Sequence, residues 1–176
     1  MTKAGATNQV EENARYWLAG AACLIGVGLS GPVAAASSWT PQEVTIATAV
    51  QQSWLRYGVP RALIYAIMRR EGGGPGVMHK NPNGTWDLGR MQINTSWLPQ
   101  LAQYGITRQA LLWSDAVNIE VGTWILALCH QQTHSWRETP ACYNAGSMRT
   151  KAAWLAGQRY AYAVVSDWDH LYRLGY

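Results

Sequence analysis

Apolar positions recur with a helical period along most of the chain. Between Pro60 and Glu71 they return every three or four residues, which predicts a helix over residues 61–71 that the following glycines end. Comparable patterns predict further helices at about residues 40–57, 96–104, a short stretch after 107, 116–133, a stretch ending near 143–146, and a last pair at about 150–156 and 158–174. The pattern indicates one mostly helical domain.

Cap residues set the ends of these helices. The run Thr40-Pro41-Gln42-Glu43 is typical of a capping box that opens the first helix, and Gly58 ends it. Ser114 caps the long helix over 116–133. One face of that helix carries the apolar residues Val117, Val121, Trp124, Ile125 and Leu128.

One segment between the helices has a different pattern. Asn83-Gly84 lies between Lys80 and Thr85-Trp86, and an Asn-Gly pair in this setting predicts a tight hairpin turn. We therefore expect one small antiparallel ribbon and no other sheet.

The N-terminal part carries an uncharged, largely apolar run from Tyr16 to Val33. Arg15 precedes it, Gly31-Pro32 breaks it, and Ala34-Ala35-Ala36 follows, as in a secretory signal peptide that is cut after Ala36. Residues 1–36 are thus predicted to be a signal peptide and residues 37–176 the functional domain. The alternative is an uncleaved membrane anchor, because the run is about as long as the shortest transmembrane helix. In either case the functional part lies outside the cytoplasm.

Composition narrows the possible functions. The chain has 176 residues, of which 48% are hydrophobic, so a packed core is expected and global disorder is excluded. The formal net charge is +4 and the basic residues are scattered, which argues against a nucleic-acid-binding module. The chain has 10 Trp, 9 Tyr and no Phe, and such rings suit a cleft that is both apolar and hydrogen-bonding.

Glu71 is the first candidate for chemistry. It extends the apolar stripe of Ile64 and Ile67 at the last turn of its helix. Burial and the negative helix end both raise the pKa of a carboxyl group, which suits a general acid. The alternative is a surface glutamate paired with Arg70.

Polar and aromatic residues with sugar-binding chemistry follow in the hairpin segment. Gln92 and Asn94 offer amides that can donate and accept hydrogen bonds, and Trp86 and Trp97 offer flat faces for sugar rings. Asp87 supplies a second carboxylate, and two carboxylates beside a groove are the usual requirement for cleaving a glycosidic bond. The alternative for Asp87 is an ordinary turn residue that bonds its own backbone.

Three ordered motifs resemble those of soluble-lytic-transglycosylase (SLT) domains. They are Met68-Arg-Arg-Glu71-Gly72, Gly89-Arg-Met-Gln92-Ile93-Asn94 and Ala141-Cys142-Tyr143-Asn144-Ala145-Gly146. Residues 81–97 also resemble the active-site hairpin of animal-type lysozymes. The likeness covers about residues 55–146 and is closest to the small specialised transglycosylases of conjugation, secretion and pilus systems. It implies a mainly α, lysozyme-like fold with one small β-hairpin beside the active-site cleft.

The resemblance also implies residue roles. Glu71 would protonate the glycosidic oxygen between N-acetylmuramic acid and N-acetylglucosamine in peptidoglycan. It would then take the proton from the C6 hydroxyl, which closes a 1,6-anhydro ring without water. Gln92 and the backbone near Met91 would line the groove, with Asn94 and Asp87 beside them. Tyr143 and Asn144 would lie next to Glu71, with Tyr143 orienting the acid or the sugar; core packing is the alternative role for Tyr143.

Two positions depart from the family pattern. Gly72 stands where the family usually has Ser, and Arg90 stands where it has Leu. Arg90 has three open roles: a pair with Asp87, a contact with the peptidoglycan carboxylates, or exposure to solvent. Asp87 leaves the product open as well, because a carboxylate at the anomeric carbon would favour hydrolysis as in lysozymes.

The remaining candidates are weaker. Cys129 and Cys142 are an even pair in an exported chain and predict a disulfide, with two free thiols as the alternative. His130 and His134 have no third ligand pattern beside them, so we expect no metal and no cofactor. The aromatic residues of the tail are expected in the core or at a partner surface rather than on sugar: Trp154, Tyr160, Tyr162, Trp168, Tyr172 and Tyr176.

The expected function is therefore that of a periplasmic peptidoglycan lytic transglycosylase. Its partners would be glycan strands and an envelope-spanning secretion or conjugation machine, with no nucleic acid. It would meet the membrane only through the N-terminal segment, if that segment is not cleaved. Two alternatives stay open: a muramidase that uses Glu71 and Asp87, and a catalytically silent wall-binding module.

Overall fold

The computed structural model describes residues 45–145 and 151–176. The signal segment 1–36, the capping box at 40–43 and Gly146 lie outside the described residues. The described residues form helices, a small sheet and one 3₁₀ turn, Thr95–Trp97. In chain order the elements are α1 (Ile46–Tyr57), α2 (Arg61–Glu71), β1 (Met78–Lys80), β2 (Trp86–Leu88), β3 (Ile93–Asn94), α3 (Leu98–Ala102), α4 (Arg108–Trp113), α5 (Asp115–Thr133), α6 (Thr139–Ala145) and α7 (Lys151–Arg173).

The helix ends follow the predicted stop signals, whereas the first helix starts later than predicted. Gly58 and Gly72 end α1 and α2 in the left-handed conformation, with φ of 70° and 64°. Thr45 is extended and its side chain caps α1 by accepting a bond from Thr48 N at 3.2 Å. A continuous helix from about residue 40 is therefore wrong, because the chain is not helical at Thr45.

The predicted ribbon is present, but the sheet has a third strand. The strands are antiparallel in the order β1-β2-β3, so the predicted ribbon of β1 and β2 is extended by one further strand of the same sheet. A two-residue strand such as β3 carries no readable alternation, which is why the sequence did not reveal it. The connecting turn is also wider than predicted, because Asn81 N donates to Thr85 O at 2.8 Å and so closes a five-residue loop.

Helix α5 forms the centre of the fold. Its residues are buried on successive positions rather than on one face, and Ile119, Val121 and Leu126 are all at most 2% exposed. The predicted apolar face, with Val121, Trp124 and Ile125 in the core, is thus one part of a helix that is buried on other sides as well. A helix that is packed on all sides needs apolar residues around its whole circumference, so its sequence shows little amphipathic period.

Helix α7 is continuous from Lys151 to Arg173, so the predicted pair of shorter helices is wrong. The predicted break falls at Gly157, but this glycine instead allows close packing. A β-carbon at Gly157 would lie 2.8 Å from the carbonyl oxygen of Ala141, where α6 and α7 touch. Helix α7 also packs along α2, and it thereby reaches the end of the helix that carries Glu71.

A disulfide joins Cys129 of α5 to Cys142 of α6, with the two Cα atoms 5.6 Å apart. It ties the central helix to the short helix that carries Tyr143 and Asn144. Within residues 45–145 and 151–176, none of the helices combines the length and the apolar character needed to cross a bilayer.

Candidate active site

Glu71 is the last residue of α2, and its carboxyl group is partly buried. The Tyr160 hydroxyl of α7 donates a hydrogen bond of 2.5 Å to Glu71 Oε1. Burial raises the pKa of Glu71 above its ordinary value, the bond from Tyr160 lowers it, and the nearby charge of Asp87 raises it. The net effect favours a carboxyl group that holds its proton, as the apolar stripe predicted.

The alternative role for Glu71 does not occur in this structure. Arg70 turns away from Glu71 and donates to Asp167 Oδ2 at 2.5 Å and to the carbonyl oxygen of Ala163 at 3.1 Å. Both acceptors are on α7. The cation next to Glu71 in sequence therefore neutralises a different acid, and the positive charge does not offset the desolvation of Glu71.

Asp87 lies in the middle strand of the sheet, facing the same side as its cross-strand neighbours His79 and Asn94. Its two oxygens accept bonds from side-chain amides, Asn94 Nδ2 at 2.7 Å and Asn81 Nδ2 at 2.9 Å. Asp87 is thus a strand residue and not a turn residue that bonds its own backbone. Its charge reaches Glu71, which means that the sheet brings the two predicted carboxylates into one site.

The loop after β2 is held from two sides. Met91 N donates to Asn118 Oδ1 at 2.7 Å, and the carbonyl oxygen of Met91 accepts the Tyr143 hydroxyl at 2.8 Å. Asn118, which is fully buried on α5, also donates to the carbonyl oxygens of Leu88 and Leu111, each at 2.8 Å. One buried amide therefore fixes the end of β2 and the loop together.

Tyr143 bonds the loop and not the acid. Burial, followed by the charges of Glu71 and Asp87, raises the pKa of the Tyr143 phenol well above its usual value, so the hydroxyl stays protonated. The side chain thus lies within the field of both carboxylates while its hydroxyl holds the backbone of Met91. Asn144, next to it, is exposed.

Gln92 and Asn94 have different surroundings. Gln92 has a positive φ of 49°, and its side-chain Nε2 donates to the carbonyl oxygen of Gly89 at 2.7 Å. Asn94 uses its Oδ1 to cap the 3₁₀ turn and its Nδ2 to bond Asp87 and Thr85. Both side chains are partly buried on the sheet side of the site.

The glycines after Glu71 explain one departure from the family pattern. Gly72 has a φ of 64°, a conformation that costs energy for any residue with a β-carbon and that Ser would adopt only under strain. Gly73 comes next, and a β-carbon there would lie 2.0 Å from the carbonyl oxygen of Gly89. The end of α2 and the loop after β2 therefore touch backbone to backbone.

The other departure, Arg90, fits none of its three predicted roles. Its guanidinium forms a two-point pair with Asp115, with Nε to Oδ1 at 2.8 Å and Nη2 to Oδ2 at 2.7 Å. Asp115 is in the first turn of α5, where an anion is also favoured by the helix dipole. Arg90 thus fastens the loop after β2 to α5 and does not pair with Asp87.

Sequence reasoning missed two residues of this site. Tyr160 was grouped with the tail aromatics, yet it bonds Glu71; its position four residues before the buried Val164 is the signal that could have placed it on an inward face. The second is Asp115, which nothing in the sequence links to Arg90. Other tail aromatics do lie at the surface, with Tyr162 82% and Tyr172 72% exposed.

The histidines considered for metal binding are engaged elsewhere. The His130 ring stacks on Trp136 with the ring centroids 3.6 Å apart, and burial lowers the pKa of His130. His134 is the left-handed cap at the end of α5. Among the residues that the structure describes, no group of three or more His, Cys, Asp or Glu side chains is arranged to hold a metal ion.

Comparison with known proteins accords with this geometry. The sequence model of the family described as "Transglycosylase SLT domain" matches residues 48–163, which include Glu71, the sheet, Tyr143 and Tyr160. The chain belongs to the SLT transglycosylase family. The predicted lysozyme-like fold and the predicted activity class, that of a lytic transglycosylase, are confirmed. The substrate of an SLT domain is peptidoglycan.

Individual relatives of this SLT protein come from two enteric bacteria. Invasion protein IagB of Salmonella typhimurium strain LT2 is 34% identical over 110 residues, which are 59% of this chain and 68% of IagB. Protein IpgF of Shigella flexneri is 28% identical over 97 residues, which are 54% of this chain and 64% of IpgF.

Proposed function

We propose that this SLT protein cleaves the β-1,4 bond between N-acetylmuramic acid and N-acetylglucosamine, with Glu71 as its only proton-transferring group. Protonated Glu71 gives its proton to the glycosidic oxygen as the bond to C1 breaks. The resulting carboxylate then removes the proton of the muramic C6 hydroxyl while that oxygen bonds C1. The product is a 1,6-anhydromuramoyl end, and Glu71 is again protonated for the next cycle.

This proposal rests on the surroundings of Glu71. Among the residues that the structure describes, no cation pairs with this carboxyl group, which is partly buried and accepts a hydrogen bond of 2.5 Å from Tyr160. Burial raises the pKa of Glu71, as suits a general acid. The hydrogen bond from Tyr160 to Oε1 fixes the orientation of the carboxyl group.

The surroundings of Asp87 support the anhydro product over hydrolysis. Both of its oxygens accept hydrogen bonds from side-chain amides, those of Asn94 and Asn81. These bonds hold the carboxylate in the sheet, so it is not free to attack C1. We assign Asp87 the role of stabilising positive charge on the sugar and of raising the pKa of Glu71. Gln92, Asn94 and the backbone at Met91 would line the glycan groove, with Tyr143 holding that backbone and Asn144 at its rim.

We further infer that the protein acts in the periplasm and serves an envelope-spanning secretion or conjugation machine. The peptidoglycan substrate and the apolar N-terminal run, interpreted as a signal peptide with an uncleaved anchor as the alternative, support the location. The likeness to a protein named for invasion supports the link to a machine. Local opening of the wall is the task that a glycan-cleaving enzyme would perform for it.

The deciding experiment is mass spectrometry of purified sacculi after digestion. Wild-type protein is expected to release anhydro-muropeptides, and Glu71→Gln is expected to lower that release by about 10²–10⁴-fold, the contribution typical of a positioned acid or base. Glu138→Gln, which changes an exposed glutamate, is the matched control and should act as wild type.

Two outcomes would contradict the proposal. Muropeptides with reducing ends instead of anhydro ends would mean that water attacks C1 and that the protein is a muramidase. Undiminished release by Glu71→Gln would remove Glu71 from the reaction. Binding of the variant to sacculi, measured by sedimentation, should stay near wild type, because Gln keeps the shape of the side chain.

A further inference from the structure

His79 is an exposed residue of the edge strand β1. The register pairs His79 with Asp87, and Asp87 in turn with Asn94. Side chains that are directly opposite on neighbouring strands point to the same face of a sheet. His79 therefore begins a row of polar side chains on the face that carries the proposed groove, and its strand neighbours Met78 and Lys80 point to the other face.

The His79 ring contacts Gln92. Its Nδ1 lies 2.6 Å from Gln92 Oε1, while Gln92 Nε2 donates to the carbonyl oxygen of Gly89 at 2.7 Å. The second bond fixes which end of the amide is nitrogen, because a carbonyl oxygen only accepts. The oxygen end then faces His79, so His79 Nδ1 carries a proton and donates it.

This contact holds a residue with unusual backbone geometry. Gln92 and His134 are the non-glycine residues with positive φ in the described chain, at 49° and 55°. His134 caps a helix, where this conformation is common, whereas Gln92 lies in the loop beside the groove. A strained residue keeps its conformation only where its surroundings hold it, and such residues cluster at functional sites.

The hold on Gln92 comes from two separate parts of the chain. Gly89 belongs to the same loop as Gln92 and lies three residues before it. His79, by contrast, contacts Gln92 from the edge strand β1. A side-chain amide that is fixed at both ends can present its remaining N–H and its remaining lone pair to a ligand in one orientation. Preorganisation of this kind lowers the ordering cost of binding.

We propose that His79 is a positioning residue for the glycan, acting through the Gln92 amide that it fixes from the edge strand. This inference rests on the proposed function, in which Gln92 lines the groove. It assigns to β1 a part in substrate binding that none of the three family-like motifs contains.

The kinetic test uses the full chain and soluble, uncross-linked glycan strands at varied concentration. His79→Ala is expected to raise KM about threefold to tenfold, the effect of one lost hydrogen bond, with kcat changed less than twofold. His79→Asn keeps a donor near the position of Nδ1 and should restore most of the loss. Lys80→Ala, on the opposite face of the same strand, is the matched control and should leave both constants unchanged.

A double-variant cycle separates positioning from a purely structural role. If His79 acts through Gln92, then His79→Ala adds nothing in a Gln92→Ala background. A full effect in that background, or a wild-type KM for His79→Ala, overturns the inference. The proposed function fails separately, if wild type releases no anhydro-muropeptides or Glu71→Gln retains activity.

A second measurement is independent of activity. Long-range ¹H–¹⁵N spectra of the imidazole nitrogens, recorded at a pH where the ring is neutral, should show the proton on Nδ1 of His79. Loss of that preference in Gln92→Ala would support the contact as its cause. A proton on Nε2 in the wild-type protein would overturn the inference even if the kinetic variants were impaired.

Discussion

The candidate site has a helical wall, where α2 carries Glu71 and α7 carries Tyr160, and a sheet wall, where β2 carries Asp87. The carboxyl groups on these two walls have different surroundings. On the helical wall, burial raises the pKa of Glu71 above its ordinary value, although the hydrogen bond that it accepts from Tyr160 acts in the opposite direction. On the sheet wall, each oxygen of Asp87 accepts one hydrogen bond from a side-chain amide, and Asp87 belongs to a row of polar side chains. The same chemical group is thus desolvated on one side of the site and surrounded by hydrogen-bond donors on the other.

The difference comes from the elements that carry the two residues. A helix end buried against another helix removes water and supplies few donors, whereas a small sheet with amides on neighbouring strands supplies donors directly opposite the carboxylate. The walls also depend on one another, because the charge of Asp87 helps to raise the pKa of Glu71. Separating their contributions therefore requires changes on each wall in turn.

The largest effect is expected where the two walls touch. Gly73→Ala places a β-carbon 2.0 Å from the carbonyl oxygen of Gly89, so the walls must move apart. We expect a loss of activity of about 10²-fold or more, as for a displacement of about 1 Å, and a lower Tm. Digestion of sacculi and thermal unfolding measure the two effects.

Gly74→Ala is the matched control for that change. A β-carbon at Gly74 would have its nearest neighbours, Arg90 and Val77, at 4.0 Å, which is an ordinary contact. Near-wild-type activity is expected. If Gly73→Ala were as active as Gly74→Ala, the contact between the two walls would not be needed for activity.

The next effect concerns the helical wall alone. Tyr160→Phe removes the bond that lowers the pKa of Glu71, so that pKa rises further. Since the proposed mechanism requires protonated Glu71, the alkaline limb of the pH profile of kcat/KM should move to higher pH. We also expect a roughly tenfold lower rate at the optimum, because the carboxyl group loses its orienting partner. An unmoved limb would separate Tyr160 from the titration of Glu71.

A change on the sheet wall should move the same limb in the opposite direction. Asp87→Asn removes a negative charge that raises the pKa of Glu71, so the alkaline limb should move to lower pH. The rate loss at the optimum should be smaller than for Tyr160→Phe if Asp87 acts only through its charge. A loss as large as that of Glu71→Gln would instead make Asp87 a direct participant and favour hydrolysis.

The smallest effect is on stability. An acid whose pKa is raised by folding contributes stability that is complete below its unfolded pKa and is lost as pH rises through its folded pKa. Glu71→Gln cannot ionise and should therefore be more stable than wild type at pH 7. Each kcal/mol gained corresponds to about 2–4 °C in Tm. The difference should vanish below about pH 4, near the unfolded pKa of a glutamate. A Tm gap that does not change with pH would mean that the gain has another cause.

The sequence predicted best what local chemistry decides. Gly58 and Gly72 end their helices as expected, Ser114 caps α5 through a bond from Val117 N at 3.3 Å, and Glu71 lies on a buried stripe. These features depend on neighbours within one or two helical turns. The hairpin was also visible, because its turn residues are consecutive.

What the sequence did not reveal depends on contacts between distant elements. Gly157 resembled a helix break, but its role is to let α7 approach Ala141 of α6. Arg90 could not be matched to Asp115 from the sequence, since their pairing requires the loop after β2 to lie on the start of α5. Tyr160 meets Glu71 only because α7 packs along α2. None of these partners is marked by a local pattern.

The disulfide between Cys129 and Cys142 has a practical consequence for anyone who handles this enzyme. Cys142 directly precedes Tyr143, whose hydroxyl donates to the carbonyl oxygen of Met91 in the loop after β2. A thiol reductant in the purification buffer would break the disulfide that joins α6, the helix of Tyr143, to α5, without changing Glu71 itself. We therefore expect protein stored with a reductant to have a lower turnover rate than the oxidised protein, and re-oxidation before the assay to restore that rate.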